Sequence, residues 1–391
     1  MPGPTSTPAS RCADILAAVE ALAPRIRAAA PVTEAQRRLP DDIFCALAEA
    51  GVFKAHLAPR FGGHSASLSE LAPIVEAIAR ADGSAGWLAY VGSEAARQTL
   101  RLSDSAAQHV TASPHLFIAG MFTPGASLAI AVPGGYRVSG RWHTCSGSLH
   151  ANWIIGGTFV YDTGDQPRRT PDGAHVTRLN FIPRSAVDVL DTWSVGGLQG
   201  TNSNDIQVQD VFVPEELGVY NVQPPDLGLH LMVPLGIARA AMDEFVKLAA
   251  ERGPTKARGA RHSELPAVQR AVAAAEAKLR AARCYALAAL AEVDARAQAD
   301  LPTSAAQRDE FLMAAYHTAE TAVEVVDALH RLAGTAGIFD SSHLSRCFKD
   351  VHVAVAHISL QPINLDSAGR MLMTRSALQT APDDVERSAD I

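Results

Sequence analysis

The sequence predicts an α+β protein in three parts: an N-terminal helical domain over residues 1–113, a central β domain over 114–224 and a C-terminal helical bundle over 225–391. Three observations carry this. Ala, Leu and Glu recur at helical spacing from Arg11 to about Val110. Between His115 and about Tyr220, β-branched and aromatic residues alternate with polar ones, and Gly-Gly, Pro-Gly and Asp-Gly punctuate them. After about Asp226 the helical period returns for most of the remaining length.

Taken in chain order, the first ten residues, MPGPTSTPAS, have neither a basic n-region nor an apolar h-region, so they read as a loose tail and not a signal peptide. The first helical segment breaks at APRFGGHSAS and ARADGSAG. Ser67 followed by Glu70 is a capping-box signature for a helix running to about Arg80. In the β segment, GGYRVSGRW and NDIQVQDVFVPEE read as strands after turns, and TGDQPRRTPDG reads as a hairpin excursion. The Ala-rich stretches ELPAVQRAVAAAEAKLRAARCYALAALAEVDARAQA and SAAQRDEFLMAAYHTAETAVEVVDALHRLAG carry apolar stripes on more than one face. Such helices pack in bundles and commonly in oligomers.

With 48% hydrophobic and 19% charged residues, the chain can bury a sizeable core. A formal net charge of −7 leaves no basic footprint, which argues against nucleic acid as a partner. The five cysteines are widely spaced without a C-x-x-C pair, which argues against a disulfide framework and a thiolate metal site. No apolar run approaches the roughly 20 residues that span a bilayer. A reducing, cytoplasmic setting without membrane attachment is expected. The Walker loop, H-E-x-x-H, G-x-S-x-G and a G-x-G-x-x-G opening a helix are all missing, so phosphate, zinc, hydrolase and Rossmann chemistries lack their residues.

What the β segment offers is three loops rich in small polar residues: MFTPGAS (121–127), TCSGS (144–148) and GLQGTNSND (197–205). Their glycines allow backbone to approach a planar ligand, and their hydroxyls can bond its heteroatoms. The second lies in RWHTCSGSLHANW, which gathers two Trp, two His, two Ser, Cys, Asn and Gly. That mixture is too polar for a core strand and too aromatic for an ordinary loop. It reads as a strand with a ligand at its end.

Three segments, PRFGGHSASLSELAPIVEAIARADGSAGW, GGYRVSGRWHTCSGSLHANW and DTWSVGGLQGTNSNDIQVQDVFVPEE, together with RLAGTAGIFDSSHLSRCFKDVHVAVAH, resemble in order those of one family. It is the two-component flavin-dependent monooxygenases built on the acyl-CoA dehydrogenase fold, with members acting on hydroxyphenylacetate, indole and dibenzothiophene compounds. The resemblance runs from about Arg38 to about Leu372. It implies an acyl-CoA dehydrogenase-like fold with a central β-barrel or sandwich and a C-terminal four-helix bundle, assembled as a homotetramer. It also implies an oxygenase component that receives reduced FAD or FMN from a separate NAD(P)H-flavin reductase. Such enzymes use O2 through a flavin C4a-hydroperoxide to oxygenate a small aromatic or heteroaromatic substrate. Two rivals stay open: an acyl-CoA dehydrogenase or related flavin oxidase, and a non-catalytic member of the fold. Where true acyl-CoA dehydrogenases commonly present Glu-Gly-Thr, this chain has AHISLQ, which argues against desaturation.

The resemblance implies roles for particular residues. His357 stands where an imidazole can donate, accept or relay a proton near the reacting oxygen; the alternative is a packed helix histidine. His352, roughly 140° away on a helix, is read as structural. Ser146 matches the position where a strand end meets the flavin, although Ser-Gly is also a common turn pair. Phe122, Thr123, Ser127, Trp142, Thr201 and Ser203 are further flavin candidates. His150 is expected in catalysis or at the substrate pocket, and Trp87 and Tyr90 on a helix roofing that pocket. The plain alternatives are a β-domain loop with a Pro turn for Phe122, Thr123 and Ser127, a core or interface anchor for Trp142, a surface or supporting place for His150, and core packing for Trp87 and Tyr90. Gly334 and Thr335, followed by Ala336, match a segment that reaches a neighbouring subunit's flavin. Cys145 is read as a small buried filler. Gln199, Asn202 and Lys349 depart from the usual Arg, Gly and Arg, which removes a charge, a glycine and a bidentate geometry.

Overall fold

The structure is a computed structural model that describes residues 8–162, 166–220, 227–251 and 261–379. Its N-terminal part holds α1 (Pro8–Gln36), α2 (Asp41–Glu49), α3 (Leu68–Ala81), α4 (Gly83–Arg97) and α5 (Asp104–Thr111). Helix α1 begins at Pro8, so the last three of the ten residues expected to form a loose tail are already helical. Helix α3 ends one residue past its expected limit. Its capping box is complete: Ser67 Oγ accepts the Glu70 amide at 3.3 Å, and the Glu70 carboxylate accepts the Ser67 amide at 2.9 Å. The break at ARADGSAG is the single residue Asp82, whose carboxyl caps α4 by accepting the Ala85 amide at 2.9 Å.

The middle part is one mixed eight-stranded sheet: β1 (Ile118–Met121), β2 (Leu128–Val132), β3 (Gly135–Cys145), β4 (Trp153–Tyr161), β5 (Thr177–Pro183), β6 (Asp188–Leu190), β7 (Asn204–Pro214) and β8 (Gly218–Tyr220). The order is β6-β7-β3-β2-β4-β5-β8, with β1 also on β4. One edge of β4 is served twice, first by β1 against Trp153–Gly156 and then by β2 against Phe159–Tyr161. Between them the chain leaves the sheet over residues 122–127. At the gap lies Gly157, where a Cβ would fall 2.1 Å from the Phe122 carbonyl oxygen, so only glycine lets the loop pass. The sheet curls until fully buried Arg178 on β5 donates to the Pro214 carbonyl at the end of β7, at 3.1 Å.

The expected hairpin excursion falls partly on residues 163–165, outside the described residues. Its remainder bridges Tyr161 to Pro167 and Arg169 to His175. The expected boundary at 224/225 also lies outside them.

The C-terminal helices are α6 (Met232–Glu251), α7 (Pro266–Gln298), α8 (Ala305–Ala333), α9 (His343–Ala354) and α10 (Leu365–Gln379). Helix α8 packs on α6, α7, α9 and α10, while α6 and α7 also pack on α3. Among the described residues no helix is long and apolar enough to cross a membrane, and no group of His, Cys, Asp or Glu has metal-site geometry. All five cysteines are free.

The bundle grips the first domain through Asp294 on α7. Its Oδ1 accepts the Leu68 amide at 2.9 Å and its Oδ2 the Ser69 amide at 2.7 Å, so a residue far along the chain satisfies the first turn of α3. Replacing Asp294 with Ala strands two amides at a buried helix end. We expect a loss of about 2–4 kcal/mol in urea unfolding, with Asp294→Asn recovering part of it. A change below about 0.5 kcal/mol for Asp294→Ala would show that water replaces the carboxylate there.

Candidate active site

A cavity of about 350 Å³ opens where the sheet meets α4 and the turn after α9. Helix α4 supplies one stripe, Trp87, Tyr90, Val91, Glu94 and Ala95, at the i, i+3, i+4, i+7, i+8 spacing of a single helix face. Opposite stand the end of β1 with Phe122 and Thr123, the end of β3 with Thr144 and Ser146, and Trp193, Leu198, Thr201 and Ser203. His357 and Ser359 close the third side. A larger groove of about 1000 Å³ lies between α1, α3, α6 and α7. Arg80, Arg239, Arg280 and Arg283 along it are engaged in ion pairs, as in Arg80–Asp243 at 2.6 Å and Arg283–Glu76 at 2.7 Å, and Arg27 donates to the Arg80 carbonyl at 3.1 Å.

The RWHTCSGS stretch reaches the cavity because β3 breaks register with β7 between Trp142 and Cys145. Thr144 turns into the left-handed region (φ 57°) and Gly147 follows at φ 75°. Asp205 holds the turn by accepting from Arg141 Nη2 at 2.7 Å and His143 Nδ1 at 2.8 Å. Burial would raise this carboxyl, but those two bonds outweigh it and keep it below the usual carboxylate range.

Ser146 Oγ then heads a buried chain of hydroxyls. It meets Ser203 Oγ at 2.7 Å, Ser203 Oγ meets Thr201 Oγ1 at 2.7 Å, and Thr201 Oγ1 donates to the Leu198 carbonyl at 2.8 Å. Trp87 Nε1 donates to Ser146 Oγ at 3.1 Å. A carbonyl only accepts and an indole N–H only donates, so the direction is fixed at both ends. Every proton points from Trp87 towards Leu198. Each of the three oxygens keeps one lone pair unused, and all three residues line the cavity.

His357 is not on a helix, contrary to expectation. Helix α9 stops at Ala354, and His357 caps the next turn, its Nδ1 accepting the Ser359 amide at 3.3 Å. Burial lowers its pKa to about 4. The ring is therefore neutral with its proton on Nε2. Its centroid lies 5.5 Å from Trp87 and 5.6 Å from His230. His230 is fully buried, and neither of its nitrogens has a hydrogen-bond partner among the described residues. Burial, then the neighbouring His357, hold it well below its usual value.

Two family descriptions match the chain: acyl-CoA dehydrogenase, N-terminal domain, over residues 15–115, and acyl-CoA dehydrogenase, C-terminal domain, over 229–362. The indole-3-acetate monooxygenase of Pseudomonas putida is 32% identical over 378 residues, covering 92% of this chain and 94% of that protein. The chain belongs to the flavin-dependent monooxygenases of the acyl-CoA dehydrogenase fold. The HsaA monooxygenase of Mycobacterium tuberculosis superposes with a TM-score of 0.81 at 25% identity, over 93% of this chain and 99% of that one. XiaF from a Streptomyces species, solved with FADH2 and glycerol, shares the fold with a TM-score of 0.84 at 20% identity, over 98% of both chains.

The residues present fit the flavin of this family of monooxygenases. The test is the hydroxyl chain, a row of acceptors beside aromatic walls, which suits the N–H edge of a planar ring. Of the residues expected from sequence, Phe122, Thr123, Ser146, Thr201, Ser203, Trp87, Tyr90 and His357 come together around this cavity. The others do not line it. Trp142 is buried in the sheet, its ring against Gly156 and its Nε1 donating to the Gly157 carbonyl at 2.8 Å. Ser127 is buried against Gly140. His150 is buried and stacks on Phe44 at 4.3 Å. Gly334 and Thr335 sit exposed after α8.

Cys145 is fully buried and its thiol is pushed up to about 12. His352 bonds Asp327 on α8 at 3.0 Å. Asn202 adopts φ 52°, a conformation Asn tolerates better than most residues, and its Oδ1 accepts the Leu149 amide at 3.0 Å. Lys349 pairs with Glu34 at 3.6 Å. Sequence reasoning missed Trp193, Glu94 and His230. Only Glu94 left a signal, as a charge inside the apolar stripe of α4.

His150 supplies a pH test. Burial, then Arg38, lower it from 6.5 to about 4. Between those values the unfolded chain takes up a proton that the native state refuses, so stability is full above pH 6.5 and falls towards pH 4. His150→Phe removes this titration. In urea unfolding, the stability gap should shift by about 2 kcal/mol in the variant's favour between pH 7.5 and 4.5. A pH-independent gap would place a protonated His150 in the native state.

Proposed function

We propose that the protein is the oxygenase component of a two-component flavin-dependent monooxygenase. It takes reduced FAD or FMN from a separate NAD(P)H-dependent flavin reductase and directs one oxygen atom of O2 to a small aromatic or heteroaromatic substrate. The observation that carries this reading is the directed chain from Trp87 through Ser146, Ser203 and Thr201 to Leu198. Reduced isoalloxazine carries an N–H where the oxidised ring carries a bare nitrogen. A row of lone pairs favours the reduced ring. When bound, the reduced flavin supplies the electrons that activate O2.

The chain's own residues then have defined tasks. Ser146 Oγ keeps its proton on Ser203 and offers its lone pair to the ring edge. His357 holds a proton at Nε2, available to the reacting oxygen or to a substrate hydroxyl. Trp87, Tyr90 and Trp193 exclude water from the space where the substrate lies. The desaturation rival needs a free carboxylate. Glu94 lines the cavity, but Arg97 engages its Oε2 through Nε at 3.0 Å and Nη2 at 2.7 Å.

Assembly as a homotetramer is part of the proposal. Its support is apolar surface near the exposed Gly334–Thr335 turn and beyond: Ile338, Phe339, Ile358 and Ile363 are all at least 60% exposed. Light scattering of the eluted protein should give four times the chain mass, and a monomer at micromolar concentration would reject this part.

Rapid mixing of the protein and reduced FAD or FMN with oxygenated buffer should show a transient absorbing in the near ultraviolet before the visible band of oxidised flavin. Ser146→Ala should weaken reduced flavin by about tenfold and oxidised flavin by much less. His357→Ala should shorten the transient or lower the yield of oxygenated product. Direct reoxidation by the wild type, with no transient, would sink the monooxygenase reading.

A further inference from the structure

Asp350 on α9 is buried and does not line the cavity, yet it holds a residue that does. Its Oδ1 accepts the Leu198 amide at 2.6 Å. Leu198 lies in the left-handed region, at φ 48° and ψ 34°, which a branched side chain enters only when its surroundings hold it there. The approach is close on both sides of the carboxyl. A Cβ on Gly197 would fall 2.2 Å from the Lys349 carbonyl oxygen, and one on Gly83, the first residue of α4, would fall 3.0 Å from Asp350 Oδ2. The cavity loop and the start of α4 thus close on one side chain.

The consequence lies at the Leu198 carbonyl. It accepts the Thr201 hydroxyl at 2.8 Å, the Thr201 amide at 3.1 Å and the Trp193 indole at 3.2 Å. The first of these bonds commits the Thr201 proton, so the hydroxyl row shows lone pairs to the cavity. Were Leu198 to relax to extended backbone, its carbonyl would swing away and the Thr201 proton could turn to the cavity. Ser203 and Ser146 would then lose their fixed direction. A row that donates as readily as it accepts does not distinguish the N–H of a reduced ring from the bare nitrogen of an oxidised one.

We infer that Asp350 is a positioning residue that gives the cavity its preference for reduced over oxidised flavin, acting through the Leu198 amide. The inference rests on the monooxygenase reading of the cavity and assigns its redox selectivity to a residue outside it. Burial, with Asp82 beside it, pushes the Asp350 carboxyl up to about 8. At neutral pH the group is therefore uncharged, and an Asn amide oxygen is a close substitute for Oδ1.

The test is anaerobic calorimetric titration of the purified full chain with FMN in its photoreduced and oxidised forms, repeated with FAD. The wild type should bind the reduced form about tenfold more tightly. In Asp350→Ala the preference should fall to about threefold or less, chiefly through weaker binding of the reduced form, while Asp350→Asn keeps most of it. Asp350→Ser, whose shorter side chain leaves its oxygen short of the Leu198 amide, serves if Asp350→Ala does not fold. A role in stability alone would weaken both flavin forms alike. Thr201→Val removes the same terminal bond from the donor side, so adding it to Asp350→Ala should lower the preference no further than Thr201→Val does alone. A wild type without the preference, an undiminished preference in Asp350→Ala or Asp350→Ser, an equal loss in Asp350→Asn, or independent losses in the double variant would each overturn the inference. The mixing experiment with oxygenated buffer tests the monooxygenase reading separately. A near-ultraviolet transient beside an undiminished preference in Asp350→Ala overturns the inference alone. A preference that Asp350→Ala abolishes, without any transient in the wild type, sinks the monooxygenase reading and leaves the positioning role standing.

Discussion

One backbone amide organises the site. Leu198 N donates to Asp350 Oδ1 at 2.6 Å, and this bond holds Leu198 in the left-handed region (φ 48°), which costs a branched residue about 1–2 kcal/mol. In that conformation the Leu198 carbonyl receives both Thr201 Oγ1 and Trp193 Nε1, at 2.8 and 3.2 Å. It thereby terminates the hydroxyl chain and sets its direction. The glycines around it permit the approach: a Cβ on Gly197 would fall 2.2 Å from the Lys349 carbonyl oxygen, and one on Gly200 would fall 2.1 Å from Thr33 Cγ2. The loop is thus pressed between α9, α1 and α4 before any ligand contact is considered.

Asp350 also joins the helices to one another. Burial, with Asp82 beside it, pushes its carboxyl up to about 8, and Asp82, which caps α4, is raised by its own burial, with a smaller push from Glu34. Protonated at neutral pH, Asp350 still accepts through Oδ1, and two carboxyls can share a buried corner without two full charges. Arg346 and Glu34, 3.0 Å apart, complete the cluster and tie α9 to α1. The helix that bears Trp87, Tyr90 and Glu94 is therefore indexed against the loop that bears Thr201 and Ser203 by buried polar groups, which tolerate less sliding than apolar packing.

Around the cavity, burial removes charge. His357 and His230 are neutral because an imidazolium would lose its hydration there, and Glu94 is balanced by Arg97. Aromatic rings fill the intervening wall. The result is a largely apolar space with few but directional polar atoms: three acceptors at one end and an imidazole N–H at the side. Such a space protects reactive oxygen chemistry from water while orienting a planar substrate.

Much of this was legible in the sequence, for physical reasons. Helical and strand periodicities are local, so three segments in the order helices, sheet, helices could be read directly, and the Ser67–Glu70 cap located the start of α3 to the residue. Motif order pointed to the family, and the hydroxyls of TCSGS and GLQGTNSND did converge. Side-chain direction was not legible. Trp142 and Ser146 lie four residues apart, yet a register shift in β3 sends the indole into the sheet and the hydroxyl into the cavity. His150 and His357 looked alike as single histidines until packing put one behind Phe44 and the other at a helix end. Local propensity and pattern determined which elements form. Only the tertiary structure decided which atoms face one another, because Trp87, His230 and His357 meet across stretches of chain whose spacing carries no record of that contact.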